Sequence, residues 1–234
     1  MRKTVIERLR TATGRVRPIG WHAPGGANGS PIRANGRLPS REREIISTMA
    51  ELRFPAPPLD DDVVLLRPWR ESDAPATFLA FSDPVVQRFS WPQPAPCSEE
   101  DTRRYIAELE AARLLGEELN LALVPPGDAG VVLGGGSLYD VRPEQGCASV
   151  GYWLAPGARG RGVATHAVRL LARWAFAELG LARLELTCSS DNEASQRVAH
   201  RCGFAREGVL RSHVPGQGGR RDTVVYGLLP GELG

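Results

Sequence analysis

Arginine and glycine are concentrated in the stretch "APGARGRGVATHA", residues 155–167, directly before a helix-like run. A strand, a glycine-rich turn and a helix in that order expose backbone N–H groups at the positive helix end, where phosphate binds. Glycines let an anion approach the backbone closely, and Arg159 and Arg161 add positive charge. The stretch fits neither G-x-x-x-x-G-K-S/T nor G-x-G-x-x-G, which disfavours a nucleoside triphosphatase or a Rossmann dehydrogenase. A tight structural connection is the alternative interpretation.

A resemblance to a known family rests on this stretch and on two later ones. Arg159–Ala164 fits R-x-x-G-x-A, and here the chain resembles the GNAT N-acetyltransferase superfamily, whose pyrophosphate-binding signature is Q/R-x-x-G-x-G/A. "VGYWL" before it and "DNEASQRVAHRCGFAREGVL" after it resemble the ribosomal-protein alanine N-acetyltransferase-like subgroup. In that subgroup "GYWL", "N-x-x-S" and "GF-x-x-EG" recur in this order and at this spacing. The resemblance covers about residues 65–229.

The resemblance implies that acetyl-CoA is the cosubstrate and that no metal ion takes part. The end of the fourth strand, Trp153 and Leu154, would pair with the pantetheine arm as another strand would. Asn192 would also contact the pantetheine, and Ser195 would lie close to the thioester sulfur. The pyrophosphate would lie on the backbone of Arg159, Gly160, Arg161, Gly162, Val163 and Ala164.

The implied reaction is direct acyl transfer, in which a neutral amine attacks the thioester carbonyl and the CoA thiolate leaves. Such a site needs an oxyanion donor, a proton source for the sulfur and a route for the amine proton. The family places the oxyanion donor at the backbone N–H of Leu154. Many members carry a Tyr at the position of Ala199, and its absence leaves Ser195 as the candidate for protonating the sulfur.

The general base has no single candidate in the sequence. Many superfamily members carry a Glu just before "GYWL", where this chain has Ser149. Glu185 on the fifth strand, His213 at the end of the sixth, or water carrying the proton away remain as alternatives.

Each of these polar residues also has a purely structural interpretation. Asn192 is a helix N-cap, and it can cap and bind at once. Ser195 lies in the first turn of the same helix. Glu185 fits an outward strand residue paired with an arginine, and His213 fits an exposed hairpin.

Apolar periodicity and turn residues predict an α/β (α+β) domain spanning residues 49–234, and the resemblance implies that this domain is of the GNAT type. The resemblance implies a mixed, mostly antiparallel sheet of about six to seven strands, splayed between the fourth and fifth strands. Helices flank that sheet on both faces. The predicted strands cover residues 63–69, 119–125, 130–141, 147–155, 182–188, 207–214 and 222–229. The predicted helices cover residues 72–83, with Ser72 or Asp73 as the cap and Pro84 beyond the end, 98–115 with Ser98 as the cap, 162–179 and 192–202.

Residues 1–48 differ from the rest of the chain in composition and charge. They are rich in Gly, Pro, Asn and Arg, and ten Lys/Arg against three Asp/Glu give them a net charge of +7. The remaining residues carry −5, because the whole chain carries +2. Without an apolar period the segment predicts a disordered basic arm. A nucleic-acid-binding arm, an organelle-targeting arm, and a natural start at Met49 are alternatives.

The cysteines and the apolar segments indicate a soluble, cytoplasmic protein. Cys97, Cys147, Cys188 and Cys202 lie far apart without C-x-x-C spacing, which favours reduced thiols over a disulfide framework or a zinc site. No apolar stretch is long enough to cross a bilayer, and no apolar signal core starts the chain.

The sequence therefore predicts an acetyl-CoA-dependent N-acetyltransferase, acting as a monomer or homodimer without membrane or nucleic-acid partners. The acceptor is a primary amine, either a protein N-terminal α-amino group or a small molecule. Its site is expected between the Pro-rich loop around Trp91 and the final hairpin. A non-catalytic acyl-CoA-binding or regulatory module is the alternative function.

Overall fold

The computed structural model describes residues 51–89, 98–216 and 219–234, and its elements alternate as the sequence predicts. The arm of residues 1–48, Trp91 and Cys97 lie outside the described residues. Cys147, Cys188 and Cys202 are free thiols. Among the described residues no helix combines the length and apolar character that crossing a membrane requires. The strands are β1 (Leu59–Asp60), β2 (Leu65–Pro68), β3 (Leu119–Val124), β4 (Gly134–Arg142), β5 (Cys147–Leu154), β6 (Arg183–Ser189), β7 (Ala205–Gly216) and β8 (Gly219–Leu228).

The strands form one mixed sheet in the order β1-β2-β3-β4-β5-β6-β8-β7. Every neighbouring pair is antiparallel except β5 and β6, which run parallel. The seven predicted strands are all present, and the eighth is the two-residue β1, too short to give a periodic signal. The predicted fourth and fifth strands are β5 and β6.

The sheet opens between β5 and β6, as the splay predicted from the resemblance requires. The two strands pair only from Cys147 with Arg183 to Ser149 with Glu185. Beyond that point β5 continues to Leu154 and β6 continues to Ser189, but the two strands no longer pair with each other. On its other edge β6 stays paired with β8 along its length, so the divergence comes from β5 and β6 themselves.

Helices cover both faces of the sheet. They are α1 (Ala74–Phe81), α2 (Pro84–Phe89), α3 (Glu99–Leu114), α4 (Val163–Glu178) and α5 (Glu193–Arg201). On β4, the position of a Cβ at Gly136 is 3.3 Å from the Leu171 side chain of α4. The position of a Cβ at the preceding Gly135 is instead next to the Trp153 and Trp69 rings. Because successive strand residues point to opposite faces, α4 lies on one face and the Trp153 cluster, with Phe81 of α1, on the other.

The start of α3 follows the prediction, and the region of α1 and α2 departs from it. The Ser98 hydroxyl accepts the N–H of Asp101, which is an N-cap. Asp73, predicted as the cap of the preceding helix, stands at that position without a side-chain cap bond, because its carboxylate accepts the N–H of Arg70 and pairs with Arg67. Pro84, predicted to follow a helix end, opens the further helix α2, since proline fits the first helical position.

The Arg67–Asp73 pair fixes the connection from β2 to α1. Two parallel bonds of 2.8 Å join the guanidinium and the carboxylate, and both side chains are buried. The guanidinium also donates to the backbone carbonyls of Ala129 and Pro68. Fork-to-fork geometry with the remaining donors satisfied is the condition under which a buried ion pair is retained.

We expect Asp73→Asn to lower the free energy of unfolding by about 3–5 kcal/mol, because it leaves the buried Arg67 without its counter-charge. Urea unfolding followed by tryptophan fluorescence measures the change. Glu193→Gln, which removes the exposed Glu193–Arg197 pair, is the matched control and should cost less than about 1 kcal/mol. Equal losses in the two variants would contradict the special role of the buried pair.

Candidate active site

The splay between β5 and β6 forms a cleft of about 440 Å³. Its walls come from β4, β5 and β6, from the start of α4, from α2 and from one face of α5. Nine of the ten residues predicted to bind the cosubstrate line the cleft, all except Arg161: Trp153, Leu154, Arg159, Gly160, Gly162, Val163, Ala164, Asn192 and Ser195. The predicted set therefore converges on one site although it spans more than forty positions of the chain.

The glycine-rich stretch forms the turn that starts α4. Gly160 has φ +74° and Gly162 has φ +82°, a left-handed conformation that other residues adopt at a cost. Gly162 is the N-cap of α4 and supplies no side-chain cap bond. The first N–H groups of a helix have no intrahelical acceptor, so the start of α4 presents uncapped donors to the cleft.

The two arginines of this turn have different roles in the structure. An Nη atom of Arg159 donates to the Asp83 carboxylate at 2.5 Å and to the Leu154 carbonyl at 3.2 Å. The Arg159 guanidinium holds the pKa of the Asp83 carboxyl below its ordinary value. Arg161 is exposed and forms no ion pair with the described residues. Arg159 thus ties the turn to the start of α2, and Arg161 alone remains as rim charge.

The open edge of β5 carries backbone groups that the sheet leaves available. Ala155 donates its N–H to the Leu133 carbonyl, in the register that sets Gly134 opposite Leu154. In an antiparallel ladder, hydrogen-bonded and non-bonded pairs alternate, so the N–H groups of Leu154 and Tyr152 point away from β4. The backbone of Trp153 points toward β4. The strand-like pairing expected at Trp153 and Leu154 therefore falls to Leu154 and Tyr152.

A hydroxyl pair lies across the cleft from this edge. Asn192 is the N-cap of α5, and its Oδ1 accepts the N–H of Ser195 at 3.1 Å. The Tyr152 hydroxyl donates to Ser195 Oγ at 3.1 Å, and burial raises the Tyr152 pKa. Cys188 Sγ also interacts with the Ser195 hydroxyl. The cap thus fixes the backbone of Ser195, whose hydroxyl lies beside the Tyr152 phenol and the Cys188 thiol in the cleft.

The face of β5 opposite α4 holds a second set of side chains. The Trp153 ring stacks on Trp69, with ring centroids 6.1 Å apart, and contacts Phe81 at 4.8 Å. Farther along that face, Ser137, Tyr139 and Gly151 line the cleft, together with Asn120 of β3 and Tyr105 of α3. The cleft therefore reaches both faces of the sheet, through the gap that the splay leaves.

Glu185 and His213 are not among the residues that line the cleft. Glu185 Oε1 accepts from Arg183 at 3.1 Å, and Glu185 Oε2 lies 3.6 Å from Arg142. His213 lies on β7, the edge strand, where partial burial and Arg220 lower its pKa. The structure brings neither group to Ser195.

Sequence reasoning did not single out Tyr152 or Glu118. Tyr152 lies inside the quoted "GYWL". The alternation of side chains along β5 could have indicated that Tyr152 and Trp153 face opposite sides of the sheet, with Tyr152 on the side of Ser195. Glu118 is only 2% exposed and directly precedes the fully buried β3. A glutamate directly before a fully buried and mostly apolar strand was the available signal.

A carboxylate and imidazole cluster lies at the other side of α4. His166 Nδ1 and Asp61 Oδ2 are 2.8 Å apart, and Asp62 brings a third potential ligand within 4.8 Å. Asp61 also accepts the N–H groups of Val63 and Val64, bonds that with His166 hold its pKa below the ordinary value against the opposing effect of burial. This cluster ties the turn before β2 to the first turn of α4, and the expected absence of a metal remains a prediction.

A comparison with protein families matches residues 64–205 to the model described as Acetyltransferase (GNAT) domain. The uncharacterized N-acetyltransferase YoaA of Bacillus subtilis is 28% identical over 175 residues, 74% of this chain and 97% of YoaA. The ribosomal-protein-serine acetyltransferase of Escherichia coli K12 is 31% identical over 128 residues, 54% of this chain and 69% of that protein.

A solved structure shows the same fold. RimL, a ribosomal L7/L12 alpha-N-protein acetyltransferase in complex with coenzyme A, superimposes with a TM-score of 0.65 at 24% identity. The match covers 74% of this chain and 96% of RimL.

Proposed function

This chain belongs to the GNAT acetyltransferase family, and we propose that its cleft binds acetyl-CoA with the pyrophosphate at the start of α4 and the thioester beside Ser195. The chain is an N-acetyltransferase that uses acetyl-CoA. The open edge of β5, lying between the uncapped start of α4 and the Ser195 hydroxyl, is the observation that carries the proposed placement.

The donor binds largely through backbone groups. The N–H groups of Gly160–Ala164 receive the pyrophosphate, because glycine at the left-handed positions aligns them and the helix dipole favours negative charge. The amide groups of the pantetheine pair with the backbone of Tyr152 and Leu154, as an added strand does. Asn192 lines the same cleft and contacts the pantetheine from the β6 side while it caps α5.

The reaction forms a C–N bond and breaks the C–S bond of the thioester. As the amine attacks, charge develops on the carbonyl oxygen, and the N–H of Leu154, directed into the splay, stabilises it. The CoA thiolate leaves and takes the proton of Ser195. The Tyr152 hydroxyl, which already donates to Ser195 Oγ, replaces that proton and recovers its own from solvent.

The acceptor is a primary amine that approaches from the face of Trp153 and Tyr139, opposite the donor. The names of the relatives favour a protein α-amino group, since one of them is a ribosomal-protein-serine acetyltransferase. Release of free CoA thiol, measured with a panel of peptide N-termini and small amines, tests the function. Tight acetyl-CoA binding without thiol release across the panel would favour a non-catalytic acyl-CoA-binding module.

We expect Gly160→Ala to weaken acetyl-CoA binding about tenfold, because the left-handed φ costs a residue with a Cβ roughly 1–2 kcal/mol. Isothermal titration with acetyl-CoA measures the loss. Gly157→Ala is the matched control, since its Cβ would also meet open space and its φ is not positive. Unchanged affinity in both variants would remove the turn from the donor site.

We expect Ser195→Ala to lower kcat about 100-fold and to leave the acetyl-CoA Kd within about twofold, because the hydroxyl acts when the thiolate leaves. Tyr152→Phe should lower kcat about tenfold through the same relay. Ser190→Ala, on the exposed turn before α5, is the control and should behave as the unaltered protein. Equal losses of kcat and affinity in Ser195→Ala would contradict the acid role.

We also propose that residues 1–48 take no part in the donor site. Leu52 is buried in the core and donates its N–H to the Arg113 carbonyl, so the described core includes the chain from this point. Removal of residues 1–48 should therefore leave the acetyl-CoA Kd unchanged within about twofold, as measured by titration. A larger loss would assign the arm a role in the site.

A further inference from the structure

The acceptor side of the cleft contains a pocket that small residues make possible. Ser137 and Gly151 stand opposite each other on β4 and β5. A Cβ on Gly151 would lie 3.0 Å from the Tyr139 ring and 3.2 Å from Ser137 Oγ, so a side chain there would require these groups to move by a few tenths of an ångström. Asn120 pairs with Ser137 on the next strand, and Tyr105 of α3 lines the same cleft. The pocket is thus lined by the polar side chains of Asn120 and Ser137 and by the rings of Tyr105 and Tyr139.

A buried carboxylate, Glu118, lies behind this pocket and contacts its lining residue Asn120, although Glu118 is not itself among the lining residues. Glu118 directly precedes β3 and lies two positions before Asn120, and it is close enough to act electrostatically on the phenols of Tyr105 and Tyr139. Glu118 Oε2 accepts from Asn120 Nδ2 at 3.0 Å. Glu118 Oε1 is buried and has no hydrogen-bond partner among the described residues. No described Lys or Arg forms an ion pair with Glu118.

An unpaired buried carboxylate oxygen is costly, and a protein keeps one where a ligand supplies the missing donor. The acceptor of this reaction is an amine, which brings N–H donors and a proton that must leave before the amide forms. The residues around Glu118 that line the cleft, Asn120, Tyr105 and Tyr139, offer no second carboxylate or imidazole.

We propose that Glu118 is the general base that binds the acceptor amine in this pocket and takes its proton. The inference rests on the proposed function. As the amine nitrogen bonds to the carbonyl carbon, its proton moves to Glu118 Oε1, and the C–S bond breaks with the Ser195 proton passing to sulfur. Glu118 then releases its proton to solvent, so that one amine and one thioester give one amide and one thiol.

The electrostatic surroundings match this role. The pKa of Glu118 is raised to about 7, because burial and the nearby Glu117 outweigh the lowering effect of the Asn120 hydrogen bond. A base that titrates near neutral pH combines a charged population with useful basicity. Burial also raises the pKa of the two phenols that face it, Tyr105 and Tyr139. The other charged side chains that act on these groups are Glu108 on α3, beside Tyr105, and Asp140, beside Tyr139.

The test compares Glu118→Gln with Glu117→Gln, which alters the exposed neighbour. Thiol release with the best acceptor of the panel is measured from pH 5.5 to 9, and acetyl-CoA binding by titration is the control for folding. In the unaltered protein kcat/KM should rise with pH around a midpoint near 7. Glu118→Gln should lose this rise and about 100-fold in rate at pH 7.5, with acetyl-CoA Kd unchanged. Glu117→Gln should keep the rise.

A Glu118→Gln variant that binds acetyl-CoA and keeps both the rate and the pH-dependent rise would overturn the proposal. If this variant fails to bind acetyl-CoA, Asn120→Ala provides the second test. Loss of the Asn120 hydrogen bond should move the midpoint to higher pH, and an unmoved midpoint would also overturn it. Absence of acetyl transfer by the unaltered protein to any amine would instead refute the proposed function.

Discussion

The site depends on the divergence of β5 and β6 after three paired residues. Buried backbone N–H and C=O groups need partners, and a sheet normally supplies them from the neighbouring strand. Here the polar groups of Tyr152 and Leu154 face a gap, with one carbonyl taken by Arg159. The gap stays open because β6 is held along its other edge by β8, while α4 packs under β4 and β5. A donor that carries its own amides completes the interrupted ladder.

Under the proposed function, the period of two along β5 directs one strand toward two substrates. Tyr152 and Leu154 serve the side on which α4 begins and Ser195 waits. Gly151 and Trp153 face the opposite side, where the Trp153 ring packs on Trp69 and Phe81. A thioester bound in the splay is therefore accessible to an amine from the far face. A shift of one residue in register would exchange the two sets and remove both functions.

The donor side could be predicted from the sequence because its chemistry is local. The turn Arg159–Ala164 and the cap Asn192 depend on backbone conformation that a few adjacent residues determine. The acceptor side is assembled from α3, β3, β4 and β5, and nothing in "EELNLALV" says what Glu118 meets. Glu185 was selected for its place on a strand, but the adjacent Arg183 and Arg142 already neutralise it. Helix α2 was missed because Pro84, which ends helices, also starts them.

In the proposed function, Ser149 on β5 explains why the base lies two strands away, beside β3. Many members of the superfamily carry a glutamate there, and in this chain the hydroxyls of Ser149 and Thr187 interact instead with the Tyr139 phenol. The Tyr139 phenol therefore lies beside Ser149, next to the point where β5 and β6 diverge, in the space that a glutamate at position 149 would enter. Tyr139 belongs to β4, and Glu118, which directly precedes β3, acts electrostatically on its phenol. In the proposal the carboxylate thus comes from the start of β3 rather than from β5, and Asn120, which lines the cleft and donates to Glu118, connects it to the pocket.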